Sequence, residues 1–212
     1  MEDLLNNAFM SFHGKPDYVP VSAIEVTDPR FELDDSRRLA LCAKGDGDGV
    51  FENPRNRDTT VMVYDYEGHI LAQNPRHRWC ERMGLRCDYL LHDDRHFVLC
   101  EMTRCRERYL GFHNRDGQLV PGKLDHAKDQ LFNTLQKLRD VPEINTRIAS
   151  FAQKTLLFCY RLTANPSLPS SDAMARSHAA FSRPMGIIGN FSQPLPDGFN
   201  FEQRLYNNPF VF

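Results

Sequence analysis

The sequence predicts a single α/β domain, residues 1–212, with a mixed central β-sheet flanked by helices. Apolar runs rich in β-branched and aromatic residues begin at residue 60, a long amphipathic segment covers 123–139, and another apolar run covers 154–163. The order from residue 60 is therefore strand, strand, strand, helix, strand. We expect residues 60–163 to form the core, and 1–59 and 164–212 to be irregular extensions wrapped around it.

The first 59 residues carry weaker patterns. The segments MEDLLNNAFMSF and FELDDSRRLALC each have apolar spacings that suit a short helix, and a proline-rich stretch separates them. The run KGDGDGVFENPRNRD is a loop by composition. Asp46 and Asp48 alternate as they do in calcium-binding loops, but the rest of that pattern is missing, which favours a flexible loop.

Strand signals become clear after residue 60. TTVMVYDY is typical of a strand, the EGHI that follows supplies a glycine turn, and RWCERMG suits a polar helical turn. Two short apolar segments, Asp88 to Leu91 and Phe97 to Met102, are joined by the polar HDDRH. Their length and the turn between them favour a β-hairpin over a helix.

The clearest helix is PGKLDHAKDQLFNTLQKLRDVPE. Its apolar residues recur every three to four positions and form one stripe: Leu124, Ala127, Leu131, Leu135 and Leu138. Pro121 and Gly122 break the chain before it and Pro142 stops it. The run KTLLFCYRLT then predicts a buried strand. The segment from Ala164 onwards is rich in proline, serine and asparagine but aromatic, which predicts irregular structure over the core or contact with a partner.

Composition narrows the function classes. With 212 residues and a formal net charge of -2, the chain has no overall basic field to attract nucleic acid. It lacks both the pattern of a signal peptide at its start and an apolar run of membrane-spanning length, so we expect a cytoplasmic protein with no membrane association. The six cysteines are expected to be free thiols.

The stretch RCDYLLHDDRHFVLCEMTRC carries the main functional motif. Twelve residues separate Asp88 from Glu101, and the helix LDHAKDQLFNTL follows. This arrangement resembles the PD-(D/E)XK nuclease superfamily, the fold of many restriction enzymes, where an aspartate starts one strand and a Glu-x-Lys lies on the next. The Cys87-Asp88 pair and the HAxxQLxxT-like helix resemble small bacterial members. The resemblance covers about 60–163, and Thr103 replaces the family's lysine.

The resemblance implies a restriction-endonuclease-like fold and Mg²⁺-dependent (or Mn²⁺-dependent) hydrolysis of nucleic acid phosphodiesters. Asp88, Glu101 and the carbonyl of Met102 would be the metal ligands, because Mg²⁺ prefers oxygen. Thr103 can hydrogen-bond a water but cannot supply the lysine's charge. Groups that could replace it are Lys123, Lys128 and Gln130 on the helix and Arg104 next to Thr103. His126 lies one turn before Gln130 on the same flank of the helix. A catalytically inactive relative that serves as an interaction subunit is the alternative.

Seven arginines surround this motif: Arg76, Arg78, Arg82, Arg86, Arg104, Arg106 and Arg108. Such a patch could bind phosphates, and Arg86, Arg104, Arg106 and Arg108 are the predicted nucleic-acid contacts. The alternative is a solvated loop whose arginines pair with Glu81, Glu107 and Asp94.

Other interpretations of the same residues remain open. Asp88 and Glu101 could be solvent-facing acids beside a turn. Four cysteines could form a zinc site with nearby histidines (His77, His92 and His96), although the spacings favour buried free thiols: Cys80, Cys87, Cys100 and Cys105. The aromatic residues of the C-terminal segment, together with Phe132, suggest a protein partner or homo-oligomer if they are exposed. They are Phe181, Phe191, Phe199, Phe201, Tyr206, Phe210 and Phe212.

Overall fold

The computed structural model describes residues 1–35, 39–54, 59–73, 78–163 and 189–212. The helices are a π-helical turn over Leu4–Phe9 that continues as α1 (Met10–Phe12), then α2 (Tyr66–Ala72), α3 (Arg78–Met83), α4 (Lys123–Arg139) and α5 (Pro142–Ala149). The strands are β1 (Ala23–Val26), β2 (Arg30–Leu33), β3 (Gly49–Glu52), β4 (Val61–Asp65), β5 (Tyr89–His92), β6 (His96–Cys105), β7 (His113–Arg115), β8 (Gln118–Val120), β9 (Gln153–Leu162), β10 (Phe191–Pro194), β11 (Phe199–Leu205) and β12 (Phe210–Val211).

The large sheet confirms the predicted α/β class with a mixed sheet flanked by helices. Its strand order is β1-β4-β5-β6-β9-β11-β10. β4, β5 and β6 pair antiparallel, whereas β6 and β9 pair parallel. A parallel pair needs a long crossover, and the chain between β6 and β9 supplies one through α4 and α5.

The central strands of the sheet are buried on both faces. Alternate residues of β6 fall into two different apolar clusters: Phe97 and Leu99 belong to the one that contains α4, and Val98 and Cys100 to the one that contains β2 and β3. This explains why the strands read as continuous apolar runs rather than as an alternating pattern.

The β5–β6 hairpin forms where the sequence predicted it, with pairs running from Tyr89↔Cys100 to His92↔Phe97. Its turn is fixed by Asp93, whose Oδ1 accepts hydrogen bonds from the amides of Arg95 at 2.7 Å and His96 at 2.6 Å. The turn therefore sets the register of the two strands that carry the candidate site.

Helix α4 also has the predicted bounds. Its apolar stripe lies against the sheet, with Ala127, Leu131, Leu135 and Leu138 buried. The start of the helix is fixed by close packing, because a Cβ at Gly122 would lie 2.2 Å from the carbonyl oxygen of Gly111. Pro142 does not simply stop the chain: it is the first residue of α5.

Two local predictions were wrong. EGHI lies inside α2, not in a turn, because Asp65 caps the helix by accepting the amide of Gly68 at 2.7 Å. The described part of FELDDSRRLALC contains no helix, since Phe31 and its neighbours form β2. β2 pairs with β3, part of the segment assigned to a loop by composition, and Phe31 stacks on Phe51. Burial of these rings outweighs local propensity.

The GDGDG segment is a loop, but it is held in place rather than flexible. Arg161 Nη1 donates to the carbonyl oxygens of Gly45 at 2.7 Å and Gly47 at 2.9 Å. Arg104 Nε donates to Asp48 Oδ1 at 2.7 Å. Guanidinium groups thus engage one side-chain oxygen and several backbone oxygens of this loop.

The C-terminal segment is not irregular over residues 189–212. β11 joins the large sheet parallel to β9, and β12 pairs with β3. Its aromatic residues divide as follows: Phe199, Phe201, Phe210 and Phe212 are buried, Tyr206 is half-buried, Phe191 is exposed, and Phe181 lies outside the described residues. Most of them serve the core, which removes the main reason for inferring a partner, although Phe132 on α4 is exposed.

Among the described residues, no helix is both long enough and apolar enough to cross a bilayer.

Candidate functional site

The candidate site is a pair of buried carboxyl groups at one end of the β5–β6 hairpin. Asp88 immediately precedes β5, and continuing the register from Tyr89↔Cys100 places it opposite Glu101. Each residue is only 8% exposed. Asp88 Oδ2 accepts a hydrogen bond from the amide of Met102 at 2.7 Å. The sequence-based alternative of two solvent-facing acids is therefore wrong.

Burial and neighbouring carboxylates perturb both groups. Desolvation, followed by repulsion from Asp88, Asp35 and Glu67, raises the pKa of Glu101 to about 10. Desolvation and repulsion from Asp35 likewise raise the pKa of Asp88 well above its usual value, although the Met102 amide opposes this. The two carboxyls cannot both be ionised cheaply in this environment, so a proton or a cation must compensate their charge.

One oxygen of the pair has no partner. Glu101 Oε2 is buried and accepts no hydrogen bond among the described residues. A buried acceptor left unsatisfied costs about 1–3 kcal/mol. Folded proteins contain few such atoms, and a catalytic role or a bound water or ion accounts for many of them. The Glu101 carboxyl is therefore a candidate point of attachment for a ligand.

Three further acids, Asp35, Glu67 and Asp65, lie within electrostatic reach of Asp88, and the sequence did not single them out. Asp35 follows β2, and its amide donates to Asp48 Oδ2 at 3.3 Å. Glu67 lies in the first turn of α2, with its Oε1 3.6 Å from Arg86 Nε. The signal available in the sequence was an acid shortly after an apolar strand, which is too common to identify a site. Their approach to Asp88 depends on tertiary packing.

Thr103 is buried on β6. It is 5% exposed, two residues after Glu101 on β6. Cys105, two residues further along β6, belongs to the apolar cluster that contains α4. Met102 belongs to the cluster on the opposite face of the sheet. Thr103 therefore shares the face of Glu101, as the alternation of side chains along a strand predicts.

The helix residues proposed to assist the site differ in position. Gln130 hydrogen-bonds Glu101, which opposes the rise in the pKa of that carboxyl, and its Nε2 donates to the carbonyl of Arg86 at 2.9 Å. Lys123 is exposed at the start of α4; desolvation raises the pKa of Asp35, and the charge of Lys123 opposes that rise. Lys128 lies elsewhere, with its Nζ 5.3 Å from the ring centroid of Phe201.

The arginines near the motif are not equivalent. Arg86 is engaged by Glu67 and by the carbonyl of Gly84 at 2.9 Å, and Arg104 by Asp48. Arg106 is half-buried, Arg108 is exposed, and Arg76 lies outside the described residues. The internal pairs formed by Arg86 and Arg104 are not those that the sequence suggested.

The cysteines do not form a metal centre in the described part of the chain. All six are free, and all but Cys42 are buried. Within the described ranges, no group of three or more histidine, cysteine, aspartate or glutamate side chains is arranged as a metal site. The predicted buried free thiols are confirmed, and His77 lies outside the described residues.

No protein-family model, no curated protein and no solved structure matches this chain.

Proposed function

We propose that the chain is a member of the PD-(D/E)XK superfamily with a restriction-endonuclease-like core, and that Asp88 and Glu101 bind a divalent cation used to hydrolyse nucleic acid phosphodiesters. The observation that carries the proposal is the buried carboxyl pair across the β5–β6 hairpin, with Glu101 Oε2 unpartnered. A cation would relieve both the repulsion and the missing hydrogen bond.

The connectivity of the core supports the same proposal. β4, β5, β6, α4 and β9 follow one another as strand, strand, strand, helix and strand, apart from the β7–β8 hairpin and the short helices between them. Asp88 immediately precedes β5 and Glu101 lies on β6, which is the arrangement that the resemblance implies for the two acids of the motif. α4 covers the face that carries Glu101 and Thr103.

The donor set fits Mg²⁺ or Mn²⁺, which prefer carboxylate, carbonyl and water oxygens. Asp88, Glu101 and the carbonyl of Met102 would hold the ion. A bound cation of this kind polarises a phosphate and lowers the pKa of a water. The chain's own contribution is to keep the carboxyls desolvated and fixed: the Met102 amide orients Asp88, and Gln130 orients Glu101. Asp35 and Glu67 add a repulsion that a bound cation would relieve.

A second candidate is a relative of the same fold that binds a cation without hydrolysing substrate and serves as an interaction subunit. Thr103 favours it, because a neutral hydroxyl at this buried position cannot offset charge on the transition state. Among the described residues proposed to replace the missing lysine, Lys123 has a charge that acts on Asp35, one of the acids near the carboxyl pair.

The decisive experiment measures Mn²⁺ binding by calorimetry and cleavage of single- and double-stranded DNA and RNA with Mg²⁺ or Mn²⁺. Asp88→Asn and Glu101→Gln are the test variants, and Glu81→Gln, an exposed acid on α3, is the matched control. We expect both test variants to lose Mn²⁺ binding and any cleavage, and the control to retain both.

Three outcomes separate the alternatives. Cleavage by the wild type that both site variants abolish establishes a nuclease. Mn²⁺ binding without cleavage establishes the inactive relative, most clearly if Thr103→Lys alone cleaves. Absence of Mn²⁺ binding by the wild type overturns the proposal.

A further inference from the structure

A cavity of about 470 Å³ lies between the β7–β8 hairpin and the start of α4. The side chains that matter for its chemistry are Tyr109, His113, Arg115, Lys123 and His126. Ligand pockets in proteins commonly measure about 300–1,000 Å³, and one nucleotide lies within this size range. The cavity is therefore large enough for a nucleotide-sized group.

The cavity lies in a basic part of a chain whose net charge is negative. Residues 106–128 contain five lysines and arginines against three acids. Of the acids nearest the cavity wall, Asp125 accepts the amide of Gly122 at 3.4 Å, and Asp116 lies 4.0 Å from Arg115 on the exposed hairpin. Arg115 and Lys123 can therefore face a phosphate, with the two histidines as further donors.

Aromatic surface lies in the same wall. Tyr109 and His113 are in edge-to-face contact with their ring centroids 5.0 Å apart, and the guanidinium of Arg108 lies 4.6 Å from the tyrosine ring centroid. Beside them, Phe112 is 59% and Leu119 is 73% exposed. Rings and apolar side chains alternating with cations are typical of surfaces that bind unpaired bases by stacking and their backbone by charge.

We propose that this cavity binds one nucleotide of a single-stranded nucleic acid, with its base against Tyr109 and His113 and its phosphate at Arg115 and Lys123. A base within a duplex is already stacked and paired, so it cannot enter without being extruded. The inference rests on the proposed function and specifies its substrate as a single strand. Lys123 connects the two sites, since it lines the cavity and also acts on Asp35 beside the carboxyl pair.

The test is fluorescence anisotropy of the full chain with short labelled single-stranded DNA, single-stranded RNA and duplex DNA, in EDTA so that no cleavage occurs. We expect both single strands to bind more tightly than the duplex, and their relative affinity to show which is preferred. Tyr109→Ala should weaken single-strand binding about tenfold, which is the usual loss for one stacked base. Arg115→Ala should lower the slope of log affinity against log salt by about one.

Controls separate a local effect from misfolding. Arg115 is 78% exposed at its side chain, so its removal does not disturb the core. Tyr109→Phe keeps the ring and should retain binding. Arg95→Ala, at the opposite end of the β5–β6 hairpin, and Phe12→Ala, on the exposed face of α1, match the charge and ring deletions and should bind like the wild type.

The two proposals fail in different ways. Equal or tighter binding of duplex, no measurable binding of any strand, or wild-type affinity in both Tyr109→Ala and Arg115→Ala overturns the cavity proposal, whatever Asp88 and Glu101 bind. Loss of Mn²⁺ binding in Asp88→Asn with unchanged single-strand affinity supports both. If the cavity variants bind single strands more weakly but the wild type binds no Mn²⁺, only the cavity proposal is supported. The carboxyl pair then has no role in metal binding.

Discussion

Asp88 Oδ2 accepts a hydrogen bond from the amide of Met102 over 2.7 Å, which fixes the aspartate beside the residue that follows Glu101. Asp88 and Glu101 are both buried at this end of the β5–β6 hairpin. Natural proteins keep such costly arrangements mainly where they bind or react, because burial without compensation lowers stability. Substitutions that change one charge or one contact at a time can therefore test what this arrangement does.

Glu101→Gln should stabilise the metal-free protein. The raised pKa of Glu101, about 10, means that the folded state retains a proton that the unfolded chain releases above about pH 4.5, so stability falls as pH rises through that interval. We expect the variant to unfold at a higher temperature than the wild type in EDTA, by about 2–4 °C for each kcal/mol gained, with the difference growing from pH 6 to pH 9. Glu81→Gln should show no such trend, and a wild type that is equally or more stable at pH 9 would contradict the expectation.

Thr103→Lys should create or increase hydrolysis. Thr103 shares the face of Glu101, so an amine at this position would lie beside the carboxyl pair and offset its charge. A positioned proton-transfer or charge-stabilising group is worth about 10²–10⁴-fold in rate. We expect faster Mg²⁺-dependent cleavage of single-stranded DNA or RNA, measured as an initial rate. Thr103→Val, which keeps the shape and adds no charge, should give no increase; equal rates in both variants would show that the missing lysine does not limit activity.

Gly122→Ala should destabilise the fold through the start of α4. Its Cβ would lie 2.2 Å from the carbonyl oxygen of Gly111 and 2.5 Å from that of Leu110, and backbone atoms cannot move aside as a flexible side chain does. We expect a loss of about 1–3 kcal/mol in urea unfolding, as for overpacked sites. Gly117→Ala has open space and only a positive φ of 84° to oppose it, so it should cost about 1–2 kcal/mol and serves as the control for backbone strain without a clash.

Stability should fall in acid partly because of His69. This residue is 2% exposed, and desolvation lowers its pKa to about 4, although the backbone of Leu5 and of Val19 opposes the shift. Between about pH 4 and 6.5, His69 is protonated in the unfolded chain but neutral in the folded protein. Stability therefore rises with pH in that interval. His69→Phe should reduce the slope of unfolding free energy against pH there by about 1.4 kcal/mol per pH unit.

A matched core change tests the origin of that slope. Ile70 is fully buried beside His69, and Ile70→Val should lower stability by about 0.5–1.5 kcal/mol at every pH, without changing the slope. His92, whose pKa is also lowered mainly by desolvation, keeps part of the acid dependence in every variant. An unchanged slope in His69→Phe would assign the whole effect to other groups.

The sequence by itself determined the elements whose pattern is local. Three elements formed near their predicted positions: the β5–β6 hairpin, helix α4 and strand β9. Their signals are the spacing of apolar residues, turn residues and helix-breaking residues, and each of these acts over a few neighbouring residues. The same hairpin places Asp88 opposite Glu101 on the neighbouring strand, because a short turn allows few alternative registers.

Only the tertiary structure decided the rest. The segments that contain Phe31 and Phe51 have a helical or loop-like composition. They form strands because each phenylalanine buries its ring against the other. Residues Phe199–Leu205 entered the main sheet beside β9, although their composition resembled irregular chain. Asp35 and Glu67 joined the carboxyl pair for the same reason: pairing and burial between distant segments depend on contacts that no local window of sequence contains.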